Sequence, residues 1–466
     1  MENENNIKQL HRGLEERHIT LMSLGAAIGV GLFLGSASAI KLAGPGILLA
    51  YCFSGLVMFF IMRALGEMAI QNPVAGSFSK YAREYVSPFV GYLTGWNYWF
   101  LWILTCMAEI TAVGIYMEYW FPDIPRWIWA LSALIIMTLV NFIAVKAYGE
   151  LEFWFALIKV VTIILMILVG VGMILVGLGN GGIATGIQNL WNHGGFFPNG
   201  IEGVLMSLQM VMFAYLGIEM IGVTAGEVKN PQKSLSKAID AVFWRILIFY
   251  VGALFVIMSI YPWTEIGTKG SPFVLTFDKI GIPGAAGIIN FVVLTAALSS
   301  CNSGIFSTGR MLFNLAQHGE ASNKYKYLTK SGVPGKAVLA SACILLIGVL
   351  LNYIVPAKVF TLVTSIATFG AIWTWAIILI AQIRYRRGLN AEQVKLLKYK
   401  LPLFPYTSYI SLTFLFVVVV LMAYFPDTRV ALIVGPIWFG FLIVLYYIKG
   451  FHKKNKTKVE IDQHVS

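Results

Sequence analysis

Charge is scarce in this chain. Only 12% of its 466 residues are Asp, Glu, Lys or Arg, while 58% are hydrophobic; a soluble domain carries about 25% charged residues. With a mean hydropathy of +0.76, the composition excludes an ordinary soluble domain and indicates a polytopic membrane protein. Cysteine is also rare. Cys52, Cys106, Cys301 and Cys343 all fall in apolar segments without CxxC spacing, so neither a disulfide framework nor a zinc site is expected. The histidines His11, His18, His193, His318, His452 and His464 lie in loops or at segment ends. No paired acid or Ser-His-Asp set shares a depth with them, so neither an enzyme, a metal nor a cofactor is expected. The polar first 19 residues lack a short apolar region with a cleavage site, so no removed signal peptide is expected. The net charge of +12 would suit nucleic acid, but the basic residues sit in short loops and the C-terminal tail. The positive-inside rule accounts for them there, and no nucleic-acid partner is expected.

What the chain does have is long apolar runs. Length and hydropathy predict about twelve spans, near residues 20–43, 46–70, 88–120, 127–145, 153–178, 201–226, 243–262, 284–316, 337–355, 359–383, 406–424 and 430–449. The chain then divides into an N-terminal segment 1–19, a transmembrane domain 20–449 and a tail 450–466. Lys and Arg gather after the even-numbered spans, as at Lys80 and Arg83, Lys229, Lys233 and Lys237, Lys324 to Lys336, and Arg384 to Lys400. The loop 179–200 has neither. Both termini are therefore expected in the cytoplasm.

Two spans are poorly suited to continuous helices. Gly25, Gly29, Gly31 and Gly35 fall within one stretch of the first span, and glycine costs about 1 kcal/mol against alanine in a helix. Such glycines serve close helix packing, or mark a break whose freed backbone groups line a cavity. A second interruption, Phe213-Ala-Tyr-Leu-Gly-Ile-Glu219, falls in the sixth span. Interruptions at corresponding places in two five-helix halves point to a transporter built from inverted repeats.

Three ionisable residues lie inside apolar spans, Glu109, Lys159 and Glu219, at roughly 2.5–3.5 kcal/mol each on insertion scales. Plainer duties exist for each: snorkelling for Lys159, an interhelical hydrogen bond for Glu109, a helix cap for Glu219. Arg63 and Glu67, near the end of the second span, read as structural. Ser299, Ser300, Asn302 and Ser303 form a dense polar run in the eighth span. Such a run suits interhelical hydrogen bonding or a wet cavity.

With the glycine stretch, the motifs Arg63–Met68, Gly149–Lys159, Ile218–Glu227 and Leu294–Ser303 are spread along the chain. On these the chain resembles the amino acid permeases of the amino acid–polyamine–organocation (APC) superfamily. Ser207–Tyr215 and Ser365–Phe369 look most like the proline-specific members, and permeases for serine, threonine, alanine or glycine are also similar. The resemblance implies an all-α polytopic membrane protein of the leucine-transporter (LeuT) type in a bacterial cytoplasmic membrane. Spans one to five and six to ten would form the 5+5 inverted repeat, helices 1 and 6 discontinuous, and spans eleven and twelve outside it. It implies a secondary transporter that imports a small neutral amino acid, proline favoured, by proton symport and alternating access; amino acid exchange is the alternative. The substrate carboxylate would meet the backbone of Val30 and Gly31, beside Ile28 and Gly29. The ammonium would meet carbonyls of Ala27, Phe213 and Leu216, with Tyr215 and Asn302 completing the site. Lys159 resembles the lysine that replaces sodium in proton-coupled members, with Ser299 and Ser300 as hydrogen-bond partners and Glu109 and Glu219 in coupling or gating. Val30 departs from the family, which usually has Thr or Ser there, so a hydroxyl contact to substrate is lost.

Overall fold

A computed structural model describes residues 28–73, 76–142, 145–223, 231–266, 270–279 and 284–452. Ala27, the first half of span one, the segment 1–19, Lys229 and the tail from 453 lie outside them. Every regular element among the described residues is a helix, as expected for backbone that must satisfy its own polar groups in hydrocarbon.

Among the described residues, eight helices are long and apolar enough to cross a membrane, and three shorter apolar ones cover 126–141, 200–214 and 406–422. The first long one, Gly31–Gln71, is two spans joined at a corner. Gly44 takes φ +57° there and Pro45 follows it, so Ser36–Ala43 ends and Ile47–Gln71 begins in a new direction. The expected dozen spans is thus present. The others are span three, Pro88–Met117, span four, Arg126–Asn141, span five, Val145–Val176, and span six, which begins as Gly200–Ala214. Span seven runs from Pro231 through Ile260, span eight is Ala285–Gln317, and span nine is Gly335–Ile354. Span ten is Val359–Arg387, span eleven Tyr406–Met422 and span twelve Pro426–Ile448.

The packing has internal symmetry. Span three lies along span eight, and the described part of span one lies against span six. Span two pairs with span seven. Span ten packs on span three as span five packs on span eight, and span four relates to span three as span nine does to span eight. Each of these contacts has its image under exchange of the two halves, the arrangement an inverted repeat requires. Spans eleven and twelve stand outside, against span ten.

Two helix starts differ from the hydropathy reading. Span seven begins at Pro231 rather than near 243, because Lys233, Lys237, Asp240 and Arg245 dilute the apolar signal. Its face of Leu235, Ala238, Ile239 and Val242 is buried, at the spacing of an amphipathic helix. Span five begins at Val145 rather than 153, since Lys146, Glu150 and Glu152 resemble loop composition. Lys159 therefore lies about 21 Å along its helix at 1.5 Å per residue, deeper than the sequence suggests. Short helices at Ser77–Tyr81, Pro272–Lys279 and Ala391–Leu396 were not legible from hydropathy.

Candidate substrate and coupling site

Helix geometry fails where the sequence interrupts it. Span six stops at Ala214, and Tyr215–Glu219 is irregular until a short helix, Met220–Val223, resumes. Gly217 at φ +101° makes the turn possible, in a region that side chains resist. Its N–H donates to Glu219 Oε2 at 3.1 Å. The same carboxylate accepts from the Tyr98 hydroxyl of span three and the Trp375 indole of span ten, each at 3.4 Å. Glu219 thus caps the break and ties it to two neighbours.

In span one, helix begins at Gly31, and the N–H groups of Leu32 and Phe33 donate to the Gly29 carbonyl at 3.2 and 3.3 Å. A Cβ at Gly31 would stand 2.5 Å from Ala214 Cα, so the two interrupted spans meet backbone to backbone. At Gly29 a Cβ would come 2.9 Å from Glu109 Oε1 and 3.2 Å from Ser300 Oγ. The Glu109 carboxylate faces the break of span one, where the Val30 N–H and the Ser300 hydroxyl donate to it. Both glycines therefore serve close approach, Gly31 to span six and Gly29 to an acidic side chain.

Lys159 is fully buried and does not reach the interface, so snorkelling does not explain it. Its Nζ donates to Ser299 Oγ at 3.0 Å and to the Ile28 carbonyl at 3.4 Å. One ammonium thus links span five, span eight and the interrupted part of span one. Ser299 in turn donates to Glu152 Oε1 at 2.6 Å. Glu152 carried no expected role, yet it is fully buried. The signal that would have found it is its spacing: seven residues before Lys159, it lies on the same helix face two turns away.

The remaining candidates divide. Tyr215 turns away from span one: its hydroxyl donates to the Tyr51 carbonyl of span two at 2.6 Å, and its ring packs on Tyr51 and Tyr250. Asn302 is held by Asn141 of span four at 2.7 Å and faces Glu152, so it belongs with the lysine cluster. The Phe213 carbonyl accepts the Leu216 N–H at 3.0 Å. The Phe213 ring meets Phe360 of span ten, centroids 6.4 Å apart. Phe360 also lines a cavity of about 780 Å³ with Leu34, Tyr116, Glu118, Arg126 and Asn290. An ion pair between Arg126 and Glu118 stands in its wall.

At the opposite, lysine-rich end, hydrogen bonds and ion pairs clasp spans two, seven and ten and the segment before span eleven together. Glu67, buried in span two, accepts from Arg386 Nε at 2.8 Å, Gln382 Nε2 at 3.2 Å and the Leu401 N–H at 2.6 Å. One turn away Arg63 pairs with Asp240 of span seven at 2.9 Å and lies over the Tyr399 ring at 3.8 Å. Tyr399 donates to Asp240 at 2.7 Å. Burial, then that hydrogen bond, raises the Tyr399 phenol above its ordinary pKa, so it remains a donor at neutral pH.

The geometry can now be set beside known proteins. The family model described as "Amino acid permease" matches residues 18–461. The chain is 80% identical over 448 residues to "Uncharacterized amino acid permease YtnA" of Bacillus subtilis (strain 168), covering 96% of this chain and 97% of that protein. It is 51% identical over 456 residues to "Probable threonine/serine transporter YbxG" of the same organism, covering 97% and 98%. To "Amino-acid permease AapA", also from that strain, it is 50% identical over 442 residues, covering 95% and 96%. An interrupted span six lying against the helix start of span one, a repeated helical scaffold, and a family match over nearly the whole length lead to one conclusion: this chain belongs to the amino acid permease family, an amino acid transporter of the membrane rather than an enzyme.

Proposed function

We propose that the chain imports a small neutral amino acid together with a proton, across a bacterial cytoplasmic membrane, with both termini in the cytoplasm. The observation that carries the reading is the ammonium of Lys159 lodged between Ser299 and the Ile28 carbonyl. A fixed cation there repels sodium and leaves a proton as the coupling ion. Substrate carboxylate lies at the start of the helix after the first break, near the Val30 and Gly31 backbone, where the helix dipole favours an anion and where it takes over the Val30 N–H that Glu109 holds without substrate. Its amino group meets carbonyls at the two breaks, including those of Phe213 and Leu216. Protonation of Lys159 supports this binding through the Ile28 carbonyl. Inward opening releases the amino acid, and the amine then gives up its proton to water.

Proline is the favoured substrate, on the likeness of Ser207–Tyr215 and Ser365–Phe369 to proline permeases and on the apolar groups of Val30 and Phe213. A second reading, threonine and serine, is favoured by the printed name of the relative that is 51% identical. Uptake of a radiolabelled amino acid panel into sodium-free proteoliposomes, acid outside, tests both. Accumulation of proline above threonine and serine is expected. Preference for threonine or serine selects the second reading; preference for lysine or glutamate, or an absolute sodium requirement, overturns the proposal.

A further inference from the structure

We infer that Glu152 is a positioning residue for the coupling lysine, an inference that rests on the proposed proton-coupled reading. An ammonium only donates hydrogen bonds, and a carboxylate only accepts them. Ser299 lies between the two, at 3.0 Å from Lys159 Nζ and 2.6 Å from Glu152 Oε1. Its single hydroxyl proton points at Glu152, which leaves its lone pairs toward Lys159. The ammonium, anchored there, has a further N–H for the Ile28 carbonyl at 3.4 Å. Direction along this chain is therefore set from Glu152 and ends at the interrupted part of span one.

Glu152 is held from outside its helix by Ser299 of span eight. Asn302 of the same helix lies near that carboxylate and accepts from Asn141 of span four at 2.7 Å. The Cα–Cβ bonds of a helix tilt toward its N-terminus, so the Lys159 side chain extends back along span five toward the turn that carries Glu152. The other charged group facing Lys159 is Glu109, from span three. Glu109 sits against Gly29 and Ser300, on the substrate side of the lysine. The two carboxylates thus divide the work: Glu109 faces the break directly, while Glu152 holds the lysine to it through Ser299.

The test separates driven transport from exchange in wild-type protein and in Glu152→Gln, Glu152→Asp and Ser299→Ala variants, in sodium-free proteoliposomes. For Glu152→Gln, accumulation driven by a pH gradient is expected to fall at least about tenfold, while counterflow exchange persists with a raised KM, because Lys159 supports binding through the Ile28 carbonyl. Ser299→Ala, which keeps both charges and removes the bridge, should show the same split; Glu152→Asp should restore part of the driven uptake. Wild-type accumulation by Glu152→Gln, or equal loss of exchange and accumulation in both Glu152→Asp and Ser299→Ala, overturns the assignment. If wild-type protein itself ignores the gradient, the proton-coupled reading fails, and this role for Glu152 with it.

Discussion

Gly31 shows how little room the centre of the molecule allows. An added Cβ would lie 2.5 Å from the Ala214 Cα, against backbone that cannot swing aside. Gly31→Ala should therefore destabilise the protein by about 1–3 kcal/mol, the range for overpacking a tight core, and reduce uptake by separating the two interrupted spans. Thermal unfolding in detergent and initial uptake rates check this; wild-type values for both would contradict the close approach. The residues legible in advance were those out of place in an apolar run. Glu109, Lys159 and Glu219 stand out because charge within a span is expensive. Glu152 did not, since Lys146, Glu150 and Glu152 together read as a loop, and only the helix start at Val145 puts that carboxylate inside. The resemblance puts Tyr215 at the substrate, and the structure engages its hydroxyl with the Tyr51 carbonyl. Neighbours across the fold decide such orientations, and one chain's pattern does not contain them.

At the level of elements, the interruption of span six was legible around Gly217, the helix start at Gly31 within the glycine cluster of span one, and the spans as apolar runs. The clasp at the lysine-rich end was not. It joins residues more than three hundred positions apart, Glu67 with Leu401 and Arg386, and nothing local signals that pairing. Removing the Glu67 carboxylate leaves the largely buried Arg386 guanidinium without its partner. Breaking a buried pair from one side costs about 3–5 kcal/mol, so Glu67→Ala should lower the unfolding temperature markedly, more than Glu67→Gln, which retains an acceptor for part of the set. A melting temperature unchanged in Glu67→Ala would show that spans two and ten are held together by other contacts.

Across the whole molecule, a cavity of about 780 Å³ at one end faces a clasped opposite end, with the lysine cluster buried between them. Under the proposed alternating-access mechanism the contacts at the clasped end open as the cavity closes, and the proposed role of Lys159 is to let that exchange proceed with a proton and substrate aboard. The central claim is most directly tested by substrate-triggered proton entry. Proteoliposomes free of sodium and loaded with a pH-sensitive dye would be given proline, threonine or serine, for wild-type protein, Lys159→Ala and Lys159→Arg. The wild-type lumen should acidify when a transported amino acid is added. Lys159→Ala has no amine to protonate, and Lys159→Arg keeps a guanidinium that stays charged, so neither should acidify, although Lys159→Ala should still exchange labelled substrate. Acidification by Lys159→Ala equal to wild type, or wild-type uptake without any acidification, would contradict the account.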